Sequence, residues 1–352
     1  MINIINLHIN LFSGQLSSKF TSNKYKSIWR LEVFSHPAVD CFGIISGIVG
    51  YKRYKFSNLI YLWITVFFYS IGISLYLFIV KEPRMNKRLL YLSLFPILIK
   101  RHWYVNAYFS MYLLLPFINY GISYLNRDFH RNIVIFFIFF YSILNVISKI
   151  FRLNSNFNFL SNGYTSMWLL ILYIIGAFFG KYIIIDKNKY NSKIFFVSNI
   201  LLFLFVTLFS SEIYFKLIEL KSRINKKLFI NYLSPTMVIQ AITLVMFFSR
   251  LKIKNNLLIK IITFITPLNF SAQLIHARLF QTKQKIIKAL FVYVKMFNPK
   301  LLFFKIYVVG AFIYFICIFI DYFRFLIFKL FKIRQFAIFI EKEISKIIIK
   351  KK

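Results

Sequence analysis

Residues 59–80 run for 22 positions without one Asp, Glu, Lys, Arg or His. An apolar helix of about 20 residues is long enough to cross the hydrocarbon core of a bilayer. Residues 167–180 repeat the pattern, as do several further stretches. Hydrophobic residues make up 59% of the 352, and mean hydropathy is +0.67. Ten spans of about 20 residues would use nearly all of that apolar content. A soluble globular enzyme, a disordered chain and a disulfide scaffold are thereby excluded. The fold class expected is all-α, a polytopic membrane protein of about ten helices.

The expected spans are residues 1–12, 33–50, 58–80, 104–122, 133–148, 165–182, 194–211, 229–249, 257–276 and 302–326. Residues 89–99 are apolar but too short to cross, and Pro96 interrupts them, so they read as a re-entrant or interfacial piece. The first span is odd. Twelve residues at about 1.5 Å each reach roughly 18 Å, against a core of about 30 Å. It is expected to be a truncated stub, or to begin downstream of the true start. No internal repeat and no soluble domain are visible. Residues 154–162 read as a solvated loop.

Net charge is +36. The basic residues fall between the apolar runs, where they meet anionic headgroups rather than nucleic acid. Lys and Arg are denser in residues 51–57, 123–132, 181–193, 250–256 and the tail from 330 than in the alternate loops. The positive-inside rule puts that set, with the C-terminus, in the cytoplasm. Residues 277–301 carry basic side chains on the other side and read as a helix lying on the headgroups. Residues 324–352, alternating apolar and basic, read the same way on the inner face. Cys41 and Cys317 lie inside apolar segments and read as small core residues.

Ionisable groups at membrane depth are expensive and mark functional sites by default. Asp40 is one, in a segment that Pro37, Gly43 and Gly47 allow to bend or pack closely. His8 is another, a base candidate with the bland alternative of a satisfied core histidine. His276 ends the ninth span, His36 and His102 flank others, and His130 sits in a basic loop where it reads as solvated. The four tryptophans, Trp29, Trp63, Trp103 and Trp168, read mostly as interface anchors. No metal-ligand spacing, phosphate loop, dinucleotide fingerprint or serine nucleophile elbow occurs. Residues 51–55, Tyr-Lys-Arg-Tyr-Lys, form a cationic, aromatic cluster at a membrane mouth. It suits a phosphorylated donor as well as it suits a positive-inside anchor.

Five stretches together resemble one family. They are Asp40 to Gly50; Trp103-Tyr104-Val105-Asn106-Ala107-Tyr108-Phe109 with Leu113-Leu114-Leu115-Pro116-Phe117-Ile118-Asn119; Gly163-Tyr164-Thr165-Ser166-Met167-Trp168 with Tyr173-Ile174-Ile175-Gly176; Phe270 to His276; and Ile320-Asp321-Tyr322-Phe323-Arg324. In order and spacing they are similar to acyltransferase family 3, integral-membrane O-acyltransferases that modify bacterial surface polysaccharides. The resemblance covers about residues 5–335.

What it implies is a ten-helix enzyme of the plasma membrane with both termini cytoplasmic. Acetyl-CoA would be the donor on the inner face and a polysaccharide or lipid-linked glycan hydroxyl the acceptor outside. His8 matches the family's first-helix histidine, while that helix's arginine has no counterpart here. The resemblance implies His8 as base with Asp40 orienting it or stabilising its cation, and Lys52, Arg53 and Lys55 on the donor. Trp103, Tyr108 and His276 would serve the acceptor. Residues 1–335 would form the acyltransferase domain and 336–352 a basic cytoplasmic tail. The rival classes are a transporter or flippase for a lipid-linked glycan, disfavoured by the lack of a repeat, and an inactive remnant.

Overall fold

The computed structural model describes the chain apart from residues 17–21, 84, 98–102, 152, 154–155, 186–192, 283–297 and 350–352. Among the described residues every regular element is helical. In order they are α1 (Ile2–Ser13), α2 (Ser22–Ser35), α3 (Ala38–Gly50), α4 (Phe56–Ile79), α5 (Lys87–Leu92), α6 (Trp103–Tyr124), α7 (Arg127–Phe137), α8 (Leu144–Ile150), α9 (Ser166–Phe178), α10 (Lys193–Glu219), α11 (Pro235–Ser249), α12 (Asn256–Ile265), α13 (Asn269–Thr282), α14 (Pro299–Leu330) and α15 (Ile333–Ile349). A π-helical stretch, Ile138–Ile143, joins α7 to α8, and another, Phe179–Ile184, extends α9.

Seven helices among the described residues are long and apolar enough to cross a membrane: Asn23–Gly50, Phe56–Ile79, Arg127–Ile150, Ser166–Ile184, Lys193–Glu219, Asn256–Phe280 and Pro299–Leu330. Each coincides with an expected span. The other three expected spans are helices too, but α1 has 12 residues, α11 has 15, and α6, with 22, falls outside the set of seven. The chain is a multi-pass membrane protein with seven such helices among its described residues, which support seven of the ten expected spans by length and composition. His102 and most of the headgroup helix expected at 277–301 lie outside the described residues.

Two boundaries differ most from the expected ones. The second span begins not at residue 33 but ten residues earlier, and α10 runs to Glu219 instead of 211. The two extensions support each other. Arg30 donates to Glu212 at 2.8 Å, Lys26 lies 3.6 Å from Glu219, and the Tyr25 and Tyr214 hydroxyls are 2.8 Å apart. Trp29 stacks on Tyr214 with ring centroids 4.1 Å apart. Polar side chains that looked like a loop therefore lie on paired helices.

The closest helix crossing is α3 against α9. A Cβ on Gly47 would stand 2.0 Å from the Tyr173 carbonyl oxygen, and one on Gly176 would stand 2.0 Å from that of Ile44. Backbone meets backbone there, the use to which membrane bundles put small residues. Trp168, Leu169, Leu172, Tyr173 and Ile175 of α9 are fully buried around this seam. Gly176→Ala should cost about 1–3 kcal/mol through the forced separation and lower the melting midpoint in detergent. Gly72→Ala, on α4 with nothing within 4 Å of the new methyl, is the control and should not lower it.

Candidate active site

α1 carries Ile4, Ile5, Leu7 and Ile9 into the core, which fixes how it turns in the bundle. That rotation brings His8 against α13. His8 Nδ1 lies 2.9 Å from His276 Nε2, with ring centroids 5.0 Å apart. The pair is flanked by Phe12 on α1 and Phe280 on α13. His276 is buried, whereas His8 keeps part of its surface exposed.

The hydrogen bonds fix the tautomers. His276 Nδ1 is 2.5 Å from the Ala272 carbonyl oxygen, one turn back on α13. A carbonyl only accepts, so Nδ1 carries the proton. In a neutral ring the His276 Nε2 is then an acceptor, and His8 Nδ1 must donate to it. His8 is left with its lone pair on Nε2, the arrangement a general base needs.

Asp40 is not part of this pair. It sits in the first turn of α3, fully buried, and its Oδ1 accepts from Trp168 Nε1 at 3.1 Å. Neither imidazole is among its hydrogen-bond partners. The α3–α9 crossing dictates this: it presents Asp40 to α9, while His8 faces α13. Trp168 is correspondingly a buried donor, not an interface anchor. His130 corrects the sequence reading in the same direction. It is fully buried, with Nε2 3.1 Å from the Ile174 carbonyl, between the rings of Phe178 and Tyr182.

Trp103 opens an aromatic run. Its ring lies 4.5 Å from Tyr164 and 6.2 Å from Tyr232, and Tyr232 stacks on His36 at 4.4 Å. Tyr108 lies between Tyr104 and Tyr112 at successive turns of α6, 6.1 and 6.0 Å away. Tyr112 reaches the basic loop, where its ring is 5.1 Å from Tyr54 and its hydroxyl donates to the Lys55 carbonyl at 2.9 Å. Lys52, Arg53 and Lys55 all have exposed side chains on that loop. His8 and His276 are thus brought together; Lys52, Arg53 and Lys55 form a second group; Trp103 and Tyr108 belong to a third.

A family model for an acyltransferase domain matches residues 1–322. The chain belongs to acyltransferase family 3. No curated protein and no solved structure matches it. Acyl transfer to an oxygen nucleophile needs a base, a thioester or ester donor held nearby, and exclusion of water. For an acyltransferase, the apolar setting of the His8–His276 pair is suited to the first and the last.

Two polar groups escaped the sequence reading. Glu32 is buried and accepts from Asn10 Nδ2 at 2.9 Å, tying α2 to α1 two residues beyond His8. It was hidden because the expected span started one residue after it. The other is a network on α14. Arg324 donates to Asp321 through Nε at 2.8 Å and Nη2 at 2.6 Å, and to the Tyr61 hydroxyl at 2.9 Å, while Tyr69 donates to Asp321 at 2.5 Å. The sequence carried this pair only as a family resemblance, and the two tyrosines on α4 were not foreseen. Asp321→Ala would strand a buried guanidinium, a change that costs about 3–5 kcal/mol. Folded protein should be nearly lost by size exclusion, and the double replacement Asp321→Leu with Arg324→Met should restore most of it.

Proposed function

We propose that this acyltransferase moves an acetyl group from acetyl-CoA, bound at the end of the bundle carrying residues 51–55, to a hydroxyl of a glycan on the opposite face of the membrane. The observation that carries the reading is the His8–His276 hydrogen bond, with the tautomer set by the Ala272 carbonyl. It leaves His8 Nε2 as an unprotonated nitrogen in an apolar setting. In this reading residues 51–55 face the cytoplasm of a bacterial cell, and the acceptor is a capsule, exopolysaccharide or lipid-linked glycan.

A sugar hydroxyl is a weak nucleophile near neutral pH. His8 Nε2 takes its proton as the oxygen attacks the thioester carbonyl. The C–O bond forms, the C–S bond breaks, and the proton passes to the departing CoA sulfur. The transient imidazolium donates through Nδ1 to His276 Nε2, so the charge is shared with a neutral partner. The role given to Asp40 passes to His276, which acts through His8 as a positioning residue.

A cavity of about 580 Å³ supports the path of the donor. Its walls run from Asn3 on α1 past Cys41 and Ile45 to Ile48 near the end of α3, with Leu244 and Ser249 opposite. Ile48 lies three residues before the basic loop, and Asn3 lies five before His8. The lining is largely apolar, which suits a slender arm such as the pantetheine of CoA. The exposed cations of Lys52, Arg53 and Lys55 suit its phosphates.

The test is the O-acetyl methyl signal of the surface glycan, read by NMR in cells carrying each variant. His8→Ala should lower acetylation by roughly 10²–10⁴-fold, the usual share of a general base, with membrane insertion intact. His276→Ala should lower it less, because the base remains and only its tautomer and orientation are freed. Full acetylation by His8→Ala would sink the mechanism.

A further inference from the structure

α15 lies wholly beyond the matched residues, which end at 322. The boundary expected at 335 falls inside this helix. Lys332, with φ at 53°, makes the left-handed turn that separates α14 from α15. The helix then packs along the start of α4. Arg334, Ala337 and Glu341 share one face of it, at intervals of three and four residues. Ala337 is fully buried there. Arg334 Nη2 donates to Asn58 Oδ1 at 2.6 Å, and its guanidinium lies 5.5 Å from the centre of the Tyr61 ring. Glu341 Oε1 accepts the backbone N–H of Phe56 at 2.6 Å.

Phe56 is the first residue of α4, whose N-cap, Lys55, supplies no side-chain hydrogen bond. Helix N-termini leave donors unsatisfied and favour negative charge. Glu341 fills that place from a helix 285 residues away in sequence. The Lys55–Phe56 peptide is then engaged at both ends. Its carbonyl accepts from Tyr112 and from the Asn58 N–H, and its N–H donates to Glu341. At the other side of the loop, Asn119 donates to the Gly50 carbonyl at 3.3 Å. The hydrogen bond to Phe56 places the Glu341 carboxylate at the loop, where burial, the neighbouring Tyr112 and this carboxylate's charge raise the Tyr54 hydroxyl above its ordinary value.

We propose that α15 is one wall of the donor's phosphate site, with Arg334 as a further binding residue and Glu341 as the positioning residue that fixes the basic loop. This rests on the reading of residues 51–55 as the donor loop. A carboxylate beside a polyanion is a cost to binding unless its charge is engaged. Here the α4 N-terminus engages it, so the Glu341 contribution lies in the hydrogen bond and not in the charge. The Arg334 contribution is a cation held rigidly by Asn58 within three residues of Lys55.

The experiment measures acetyl-CoA binding to the full chain in nanodiscs by calorimetry, with size exclusion checking the fold. Glu341→Ala should raise Kd about tenfold, the scale of one lost hydrogen bond to a charged group. Glu341→Gln keeps the acceptor oxygen and should bind within about twofold of the parent. Arg334→Ala should raise Kd and flatten its dependence on salt, as expected when one cation facing phosphate is lost. A Glu341→Gln variant as weak as Glu341→Ala overturns the positioning role. Unchanged binding by both Glu341→Ala and Arg334→Ala overturns the proposal as a whole, provided Lys52→Ala with Arg53→Ala does weaken binding. If that double variant also binds normally, the donor-loop reading fails first and takes the wall with it.

Discussion

A bilayer offers no water to a polar group at depth, so a buried donor, acceptor or charge gains strongly from a partner in the chain. That constraint shows in how the helices of this molecule are tied together. Asp321 and Arg324 are joined by Tyr61 and Tyr69, which ties α14 to α4. Asn10 and Glu32 tie α1 to α2. Asp40 and Trp168 tie α3 to α9 along the crossing that Gly47 and Gly176 make possible. His8 and His276 tie α1 to α13. Apolar side chains facing lipid gain little by choosing one neighbour over another, so these polar pairs supply much of what distinguishes one arrangement of the helices from the rest.

Hydropathy made the helices legible, because a run such as 59–80 has few alternatives to crossing the bilayer. It failed where polar residues belong to helices. Lys26, Arg30 and Glu32 break the apolar pattern, so hydropathy leaves the first half of the Asn23–Gly50 helix outside the span. Their partners, Glu212 and Glu219 on α10 and Asn10 on α1, are remote in sequence, so no local spacing could have disclosed the pairs. His130 failed for the related reason that a basic neighbourhood hid a side chain turned inward onto α9.

The site was legible as a set of residues and not as an arrangement. His8, Asp40 and His276 stood out because ionisable groups are rare in apolar helices. Which two meet depends on how α1 and α3 are rotated. Ile5 and Ile9 turn α1 toward α13 and α14, and the glycine crossing turns Asp40 toward Trp168. A 268-residue separation between His8 and His276 leaves no mark on the sequence. The same holds for Glu341, whose hydrogen bond to Phe56 joins a tail that reads as a surface helix to the loop that reads as a donor site.

In the proposed mechanism, an imidazole instead of a carboxylate behind the base has a physical logic at this depth. In a His–Asp pair the carboxylate is charged in the resting state and must be kept so at the expense of desolvation. A His–His pair is neutral at rest, so nothing charged has to be buried before substrate arrives. Charge develops only when His8 accepts a proton, and then it is a single cation spread across one hydrogen bond. The price is that His276 offers no counter-charge, which makes the tautomer set by the Ala272 carbonyl indispensable. Without it, His276 Nε2 could carry the proton and point it at His8, and His8 Nδ1 would have to accept. The His8 Nε2 would then bear the hydrogen and could not act as a base. The backbone carbonyl of α13 is therefore as much a part of this arrangement as either ring.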